Sequence, residues 1–152
     1  MSNPTTAHNR VEILHGVNLD TLGRRDPAIY GSFTLAELET QVKRWATELG
    51  MVTTFFQTNH EGEFCEYLHR LPDLADAVII NAGAWSHYSW AIRDAVEVAA
   101  VPMVEVHISD VSKREDWRSV SVFEGLALEK ISGEGPDGYK RALEILKTEL
   151  GL

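Results

Sequence analysis

Short apolar and β-branched runs alternate with stretches of helical apolar spacing along this chain, the pattern of βαβ units that build a parallel sheet. Val11–Leu14 predicts the first strand, and a long loop follows. Thr34 and Glu37 make a capping box, so L-A-E-L-E-T-Q-V-K-R-W-A-T-E-L opens there as a helix and Gly50 supplies its left-handed end. Val52–Gln57 predicts the second strand, and a helix from Glu61 to Leu71 is expected to stop at Pro72. Ala77–Ile80 is apolar throughout, as in a strand covered on both faces. Ser89–Ala99 predicts a helix and Met103–Val106 a strand, with Leu126–Ile131 as the fifth strand and Tyr139–Leu150 as the last helix. The charged stretch D-V-S-K-R-E-D-W-R reads as a loop plus a short helix. This order predicts a three-layer, doubly wound α/β fold around a five-stranded parallel sheet. Residues 1–10 read as a flexible tail, and residues 11–152 as a single domain without repeats or linkers.

Composition narrows the partners. The 152 residues, 44% hydrophobic and 24% charged, suit a soluble globular domain with a substantial core. A formal charge of −9, from 14 basic and 23 acidic side chains, argues against nucleic acid or an anionic membrane as the main partner. A small anionic substrate stays compatible, because a pocket can be locally basic on an acidic protein. No apolar run reaches the length of a membrane span, and the N-terminus lacks the apolar core of a secretory signal. The one cysteine, Cys65, reads as a half-buried helix residue rather than a nucleophile, and the cytoplasm is the expected compartment.

In an open α/β sheet, ligands bind beyond the carboxyl ends of the strands. Here those ends carry His15, Gly16 and Asn18, then Asn59 and His60, then Asn81 and His87, then His107 and Ser109. Each alone has a plainer account: His60 as a structural or capping residue, Asn81 as a partner for loop backbone groups, His8 and His69 as solvated side chains. His107 in V-E-V-H-I-S stands apart. Glu105 precedes it by two residues, so both should face one side of the pleat, where the carboxylate can orient and charge the imidazole.

The segment G-R-R-D-P-A-I-Y-G, Gly23–Gly31, is the other unusual piece, and its proline and glycines predict neither helix nor strand. A permanently protonated guanidinium near a phenol favours the phenolate, and a tyrosine treated so can remove a proton from carbon. A merely solvated surface loop is the alternative. G-E-G-P-D-G, Gly133–Gly138, has the glycine spacing of a dinucleotide loop, but Glu134 and Asp137 would repel a pyrophosphate, so a glycine turn is the better account. The histidines lack paired metal-ligand spacing, so no metal is expected, and no G-x-S-x-G elbow offers a serine nucleophile.

Five ordered blocks span the chain from Val11 to about Leu146: G-V-N-L-D-T-L-G-R-R-D-P-A-I-Y-G, T-N-H-E-G-E, I-N-A-G-A-W-S-H-Y-S-W-A-I-R-D-A, V-E-V-H-I-S, and R-E-D-W-R with G-P-D-G-Y. In content and spacing they resemble type II 3-dehydroquinate dehydratases. That resemblance implies a flavodoxin-like fold and a cofactor-free hydro-lyase of the shikimate pathway, in a biosynthetic or catabolic role. Its reaction turns 3-dehydroquinate into 3-dehydroshikimate by anti elimination of water through an enolate. By the same resemblance Tyr30 is the base, Arg25 holds it as phenolate, and His107 protonates the leaving hydroxyl with Glu105 orienting its ring. Asn18 would place a water or the enolate oxygen. Asn81 and the backbone amides of Ile108 and Ser109 would grip the substrate carboxylate, with His87 and Arg118 on ring hydroxyls. The family also implies a homododecamer, a tetramer of trimers in which Asp94 lines a neighbour's site, and a lid spanning Gly23–Gly31.

The chain departs from the family pattern at several places. His15 stands where asparagine is usual and Val17 where proline is; Asp20 often reads as asparagine and Ser112 as histidine. Trp85, Tyr88 and Trp90 are bulkier than usual, and S-V-S-V-F-E-G strays from the commoner H-S-Y-x-S. None replaces an assigned catalytic group, but the departures bear on pocket shape, subunit contacts and substrate preference. One rival is therefore a paralogous hydro-lyase acting on another cyclic hydroxy-ketone. Another is a non-catalytic flavodoxin-like module binding FMN or phosphate, although G-V-N-L-D lacks the hydroxyl- and glycine-rich cradle it needs. A receiver domain is weaker still, since Asn81 stands where a phosphorylatable aspartate is required.

Overall fold

The structure, a computed structural model, describes residues 8–152; the expected tail falls largely outside the described residues, and Arg10, its last residue, already opens the first strand. The strands are β1 Arg10–His15, β2 Val52–Gln57, β3 Ala77–Asn81, β4 Met103–His107 and β5 Lys130–Ser132. They form one all-parallel sheet in the order β2-β1-β3-β4-β5, the flavodoxin-like arrangement. The helices are α1 Pro27–Tyr30, α2 Leu35–Glu48, α3 Glu61–Leu74, α4 Trp90–Ala99 and α5 Asp137–Glu149.

Pleating builds a core on each face. Val11 and Ile13 of β1, Ala77 and Ile79 of β3, and Val104 and Val106 of β4 pack against Leu38 and Val42 of α2 and Leu143 and Leu146 of α5. Leu14, Val78 and Ile80 point the other way, onto Phe64 and Leu68 of α3 and Ile92 and Val96 of α4. Burial on both faces makes these strands read as unbroken apolar runs. Each such aliphatic side chain contributes roughly 1.5–3 kcal/mol. Register then decides which strand-end residues meet: His15 lies opposite Asn81, and Ile80 opposite Glu105.

The capping box and the glycine end of α2 are as expected: Thr34 Oγ1 accepts from the Glu37 N–H at 3.2 Å, and Gly50 has φ 81°. Three expectations are corrected. Helix α3 does not stop at Pro72 but runs on to Leu74, because a proline this close to the end removes few bonds and the Ala75 N–H still closes the last turn onto the Leu71 carbonyl. The fifth strand is not Leu126–Ile131 but Lys130–Ser132. The Leu126 and Ala127 N–H groups both fold back onto the Phe123 carbonyl, and these residues pack on the α3–α4 core instead. Finally, Gly23–Gly31 contains one helical turn, α1, since Asp26 caps the Ala28 N–H at 3.0 Å and Pro27 suits the first helical position.

Candidate active site

The carboxyl ends of β1, β3 and β4 open into one cleft, with α1 at its border. Asn18, Arg25, Tyr30, Asn81, His87, His107, Ile108, Ser109 and Arg118 all line it, so the sheet brings together nine of the expected site residues. The cleft has about 550 Å³ of free space with its mouth included, within the range of small-molecule sites. Glu105 lies behind His107, and Asp94 is exposed on α4 away from the lining.

At the exit of β1 the backbones come very close. A Cβ on Gly16 would lie 2.4 Å from the Ala82 carbonyl oxygen, so only glycine fits between the two strand exits. Asn18 follows in the left-handed region, φ 69°, with its N–H donated to Asn59 Oδ1 at 2.8 Å. Asparagine is among the few residues that tolerate this conformation.

Tyr30 is the buried end of an otherwise exposed turn. Arg25 Nη2 donates to the phenol oxygen at 2.7 Å, and its Cζ stands 3.8 Å from the ring centroid. Arg114 approaches the same ring from 5.1 Å and donates to Ser109 Oγ at 3.2 Å. Arg114 lies in the charged D-V-S-K-R-E-D-W-R stretch and is not among the expected site residues; its place in the R-E-D-W-R block is the sequence signal for it. Three guanidiniums, of Arg25, Arg114 and Arg118, thus make a basic pocket on an acidic chain.

Across the cleft, His107 Nε2 lies 2.5 Å from Glu105 Oε2, and Ser121 Oγ donates to the other carboxylate oxygen at 2.6 Å. That arrangement orients the ring and stabilises a positive charge on it. It leaves Nδ1 as the His107 nitrogen without a protein partner among the described residues. His87 stacks on His107 with centroids 5.7 Å apart, and its Nδ1 lies 2.6 Å from the Val120 carbonyl. A carbonyl only accepts, so Nδ1 carries the hydrogen and Nε2 of the neutral ring is an acceptor. Burial, above all, lowers the His87 pKa and keeps the ring neutral.

The Ile108 and Ser109 carbonyls accept from Gly135 and Gly133 at 3.2 and 3.0 Å, while their own N–H groups have no protein acceptor among the described residues. Such a pair of backbone donors suits an anion. Arg118 Nε donates to Glu115 at 2.6 Å. Among the described residues no cluster of three or more His, Cys, Asp or Glu side chains could hold a metal ion.

The sequence profile of the dehydroquinase class II family matches residues 9–147. This chain belongs to the class II dehydroquinases. It is 48% identical over 135 residues to the 3-dehydroquinate dehydratase of Syntrophotalea carbinolica, an alignment covering 88% of this chain and 91% of that protein. Identity to the 3-dehydroquinate dehydratase of Thermotoga maritima is 45% over 141 residues, 93% and 96% of the two chains. The crystal structure of type II dehydroquinase from Propionibacterium acnes superposes with a TM-score of 0.88 at 38% identity, covering 92% of this chain and 97% of that one. In this dehydroquinase the departures noted above divide between site and surface. Val17 lines the cleft, His15 is buried beneath it, and Trp85 packs edge-on against Phe64, whereas Tyr88 and Trp90 are exposed.

Proposed function

We propose that the cleft performs the elimination for which these relatives are named. The chain is a type II 3-dehydroquinate dehydratase, removing water from 3-dehydroquinate to give 3-dehydroshikimate. Tyr30 is the base: the Arg25 guanidinium, 2.7 Å from its oxygen, stabilises negative charge there while it takes a proton from the carbon beside the ketone. The electron pair moves into an enolate, whose oxygen Asn18 holds directly or through a water. Collapse of the enolate expels the tertiary hydroxyl, and His107 supplies the proton that makes it water. Glu105, 2.5 Å behind, stabilises the charged imidazole before that transfer.

Asn81 and the Ile108 and Ser109 N–H groups receive the carboxylate, His87 Nε2 accepts from a ring hydroxyl, and Arg118 donates to another. What supports this assignment above all is that the Arg25–Tyr30 and Glu105–His107 pairs line or back the same small cleft. The route uses side-chain acids and bases alone, with the Gly23–Gly31 segment of a single domain acting as a lid. A homododecamer, a tetramer of trimers, goes with this reading, and in it Asp94 reaches a neighbour's site. Tyr88, Trp90 and Val98, 57%, 62% and 63% exposed, offer apolar surface near Asp94 for such contacts. A cytoplasmic location completes the proposal.

The test is spectrophotometric. Purified protein given 3-dehydroquinate should develop enone absorbance, and Tyr30→Phe should lower kcat by about 10³-fold with an unchanged melting temperature. A well-folded wild type without turnover would favour another cyclic hydroxy-ketone, and a near-normal rate in the variant would remove Tyr30 from the base role.

A further inference from the structure

Three buried polar side chains form a chain that runs down from the cleft into the protein. His15 ends β1 and Asn81 ends β3, as register partners on neighbouring strands that face α5. Tyr139, in the first turn of α5, places its Oη 2.8 Å from His15 Nε2 and 3.1 Å from Asn81 Nδ2. His15 and Tyr139 are 0% exposed; of the three, Asn81 alone lines the cleft.

Counting hydrogens gives this chain a direction. The Gly83 N–H donates to Asn81 Oδ1 at 3.2 Å, and a backbone N–H cannot accept, so the amide oxygen sits on that side. Nδ2 therefore donates to Tyr139 and keeps one more hydrogen. Burial raises the Tyr139 pKa and lowers that of His15 to about 3, so the phenol stays protonated and the imidazole neutral. If Tyr139 donates to His15 Nε2, one buried hydrogen lacks a partner, the one on His15 Nδ1. The opposite tautomer leaves two groups unpaired, the tyrosine hydrogen and the Nδ1 lone pair. Each buried orphan costs about 1–3 kcal/mol, so the first arrangement prevails. Donation runs from Asn81 to Tyr139 to His15.

We infer that His15 and Tyr139 are positioning residues for the substrate carboxylate: they hold the Asn81 amide so that its remaining N–H, and not its oxygen, faces the cleft. His15 matters because it takes the tyrosine hydrogen. Without an acceptor there, the Tyr139 O–H turns toward Asn81 and favours the flipped amide, whose carbonyl repels a carboxylate. This rests on the assignment of Asn81 to the carboxylate made above.

Steady-state kinetics on the full-length enzyme with 3-dehydroquinate test it. Tyr139→Phe and His15→Leu should each raise KM about tenfold, the worth of one hydrogen bond to a charged group, while kcat stays within about threefold. His15→Gln, whose amide oxygen can accept near the position of Nε2, should rescue KM to within about twofold of wild type. Unchanged KM in Tyr139→Phe or His15→Leu overturns the inference. So does a His15→Gln variant as impaired as His15→Leu, which would make the site merely structural. Should Tyr139→Phe fold poorly, the contrast between the two His15 variants decides alone. Asn81→Ala separates the levels: if its KM is unchanged, the fault lies in the carboxylate assignment and the inference falls with it.

Discussion

The floor of the cleft and the arm beside it are built by opposite means. His15, Asn81 and His107 end central strands and Glu105 lies two residues inside β4; all four are 0–5% exposed, and each is aimed by pairing register and by a hydrogen bond with a second side chain. Arg25 and Tyr30 instead stand on a turn between Gly23 and Gly31 in which Arg24, Asp26, Pro27, Ala28 and Ile29 are all exposed. That turn is held by the Asp26 cap, by the positive φ of Gly31 and by burial of Tyr30 itself. The floor is therefore preorganised with the sheet, whereas Tyr30, the proposed base, rides on a mostly exposed turn with few buried contacts of its own. In the proposed reaction, the groups that recognise the substrate stand on the first and the base that closes over it stands on the second.

Breaking the backbone fit of the floor should then cost folding, and breaking the arm should cost rate. The largest effect is expected from Gly16→Ala, whose Cβ meets the Ala82 carbonyl at 2.4 Å with backbone on both sides. Urea unfolding should show a loss of about 3 kcal/mol, and an unaltered midpoint would mean that the exits of β1 and β3 separate freely. Next comes Arg25→Met, which removes the cation from the Tyr30 oxygen. It should lower kcat roughly 30- to 100-fold and leave stability within about 0.5 kcal/mol; a comparable loss of stability would make the arm part of the core.

The smallest effect concerns the far end of the floor's strands, where Asp76 takes bonds from the Arg10 backbone and side chain beside β1 and β3. The Arg10 side chain holds the Asp76 pKa at about 2, below the ordinary 3.8. Because the folded value is the lower one, this contribution is complete above the unfolded pKa and is lost as pH falls from about 4 through 2. Arg10 is half exposed, so screening leaves about 1 kcal/mol. Asp76→Asn should flatten the acid limb of a stability-versus-pH curve by that amount and leave kcat at pH 7 unchanged; an altered kcat would couple the two ends of the strands.

Much of this was legible in local spacing. Apolar runs and helical periods place the first four strands, the box at Thr34 and Glu37 opens α2, and Gly50 ends it. The Glu105–His107 pair could be read because two residues on one strand share a face whatever else the chain does. Arg25 and Tyr30, five apart on one turn, were visible for a similar reason. Arg114 was not, because its approach to Tyr30 depends on the path of two separate loops. The start of β5 was misplaced because strand edges are set by the partner's backbone, not by the apolarity of Leu126.

The residues by themselves thus determined the kinds of element, their order and the chemical groups at the strand ends, all of which follow from contacts within a few positions. Only the tertiary structure decided that His15 and Tyr139, 124 residues apart, share one hydrogen bond under Asn81. Such bonds arise from strand register and helix packing, in which groups distant along the chain become neighbours and water is excluded from between them.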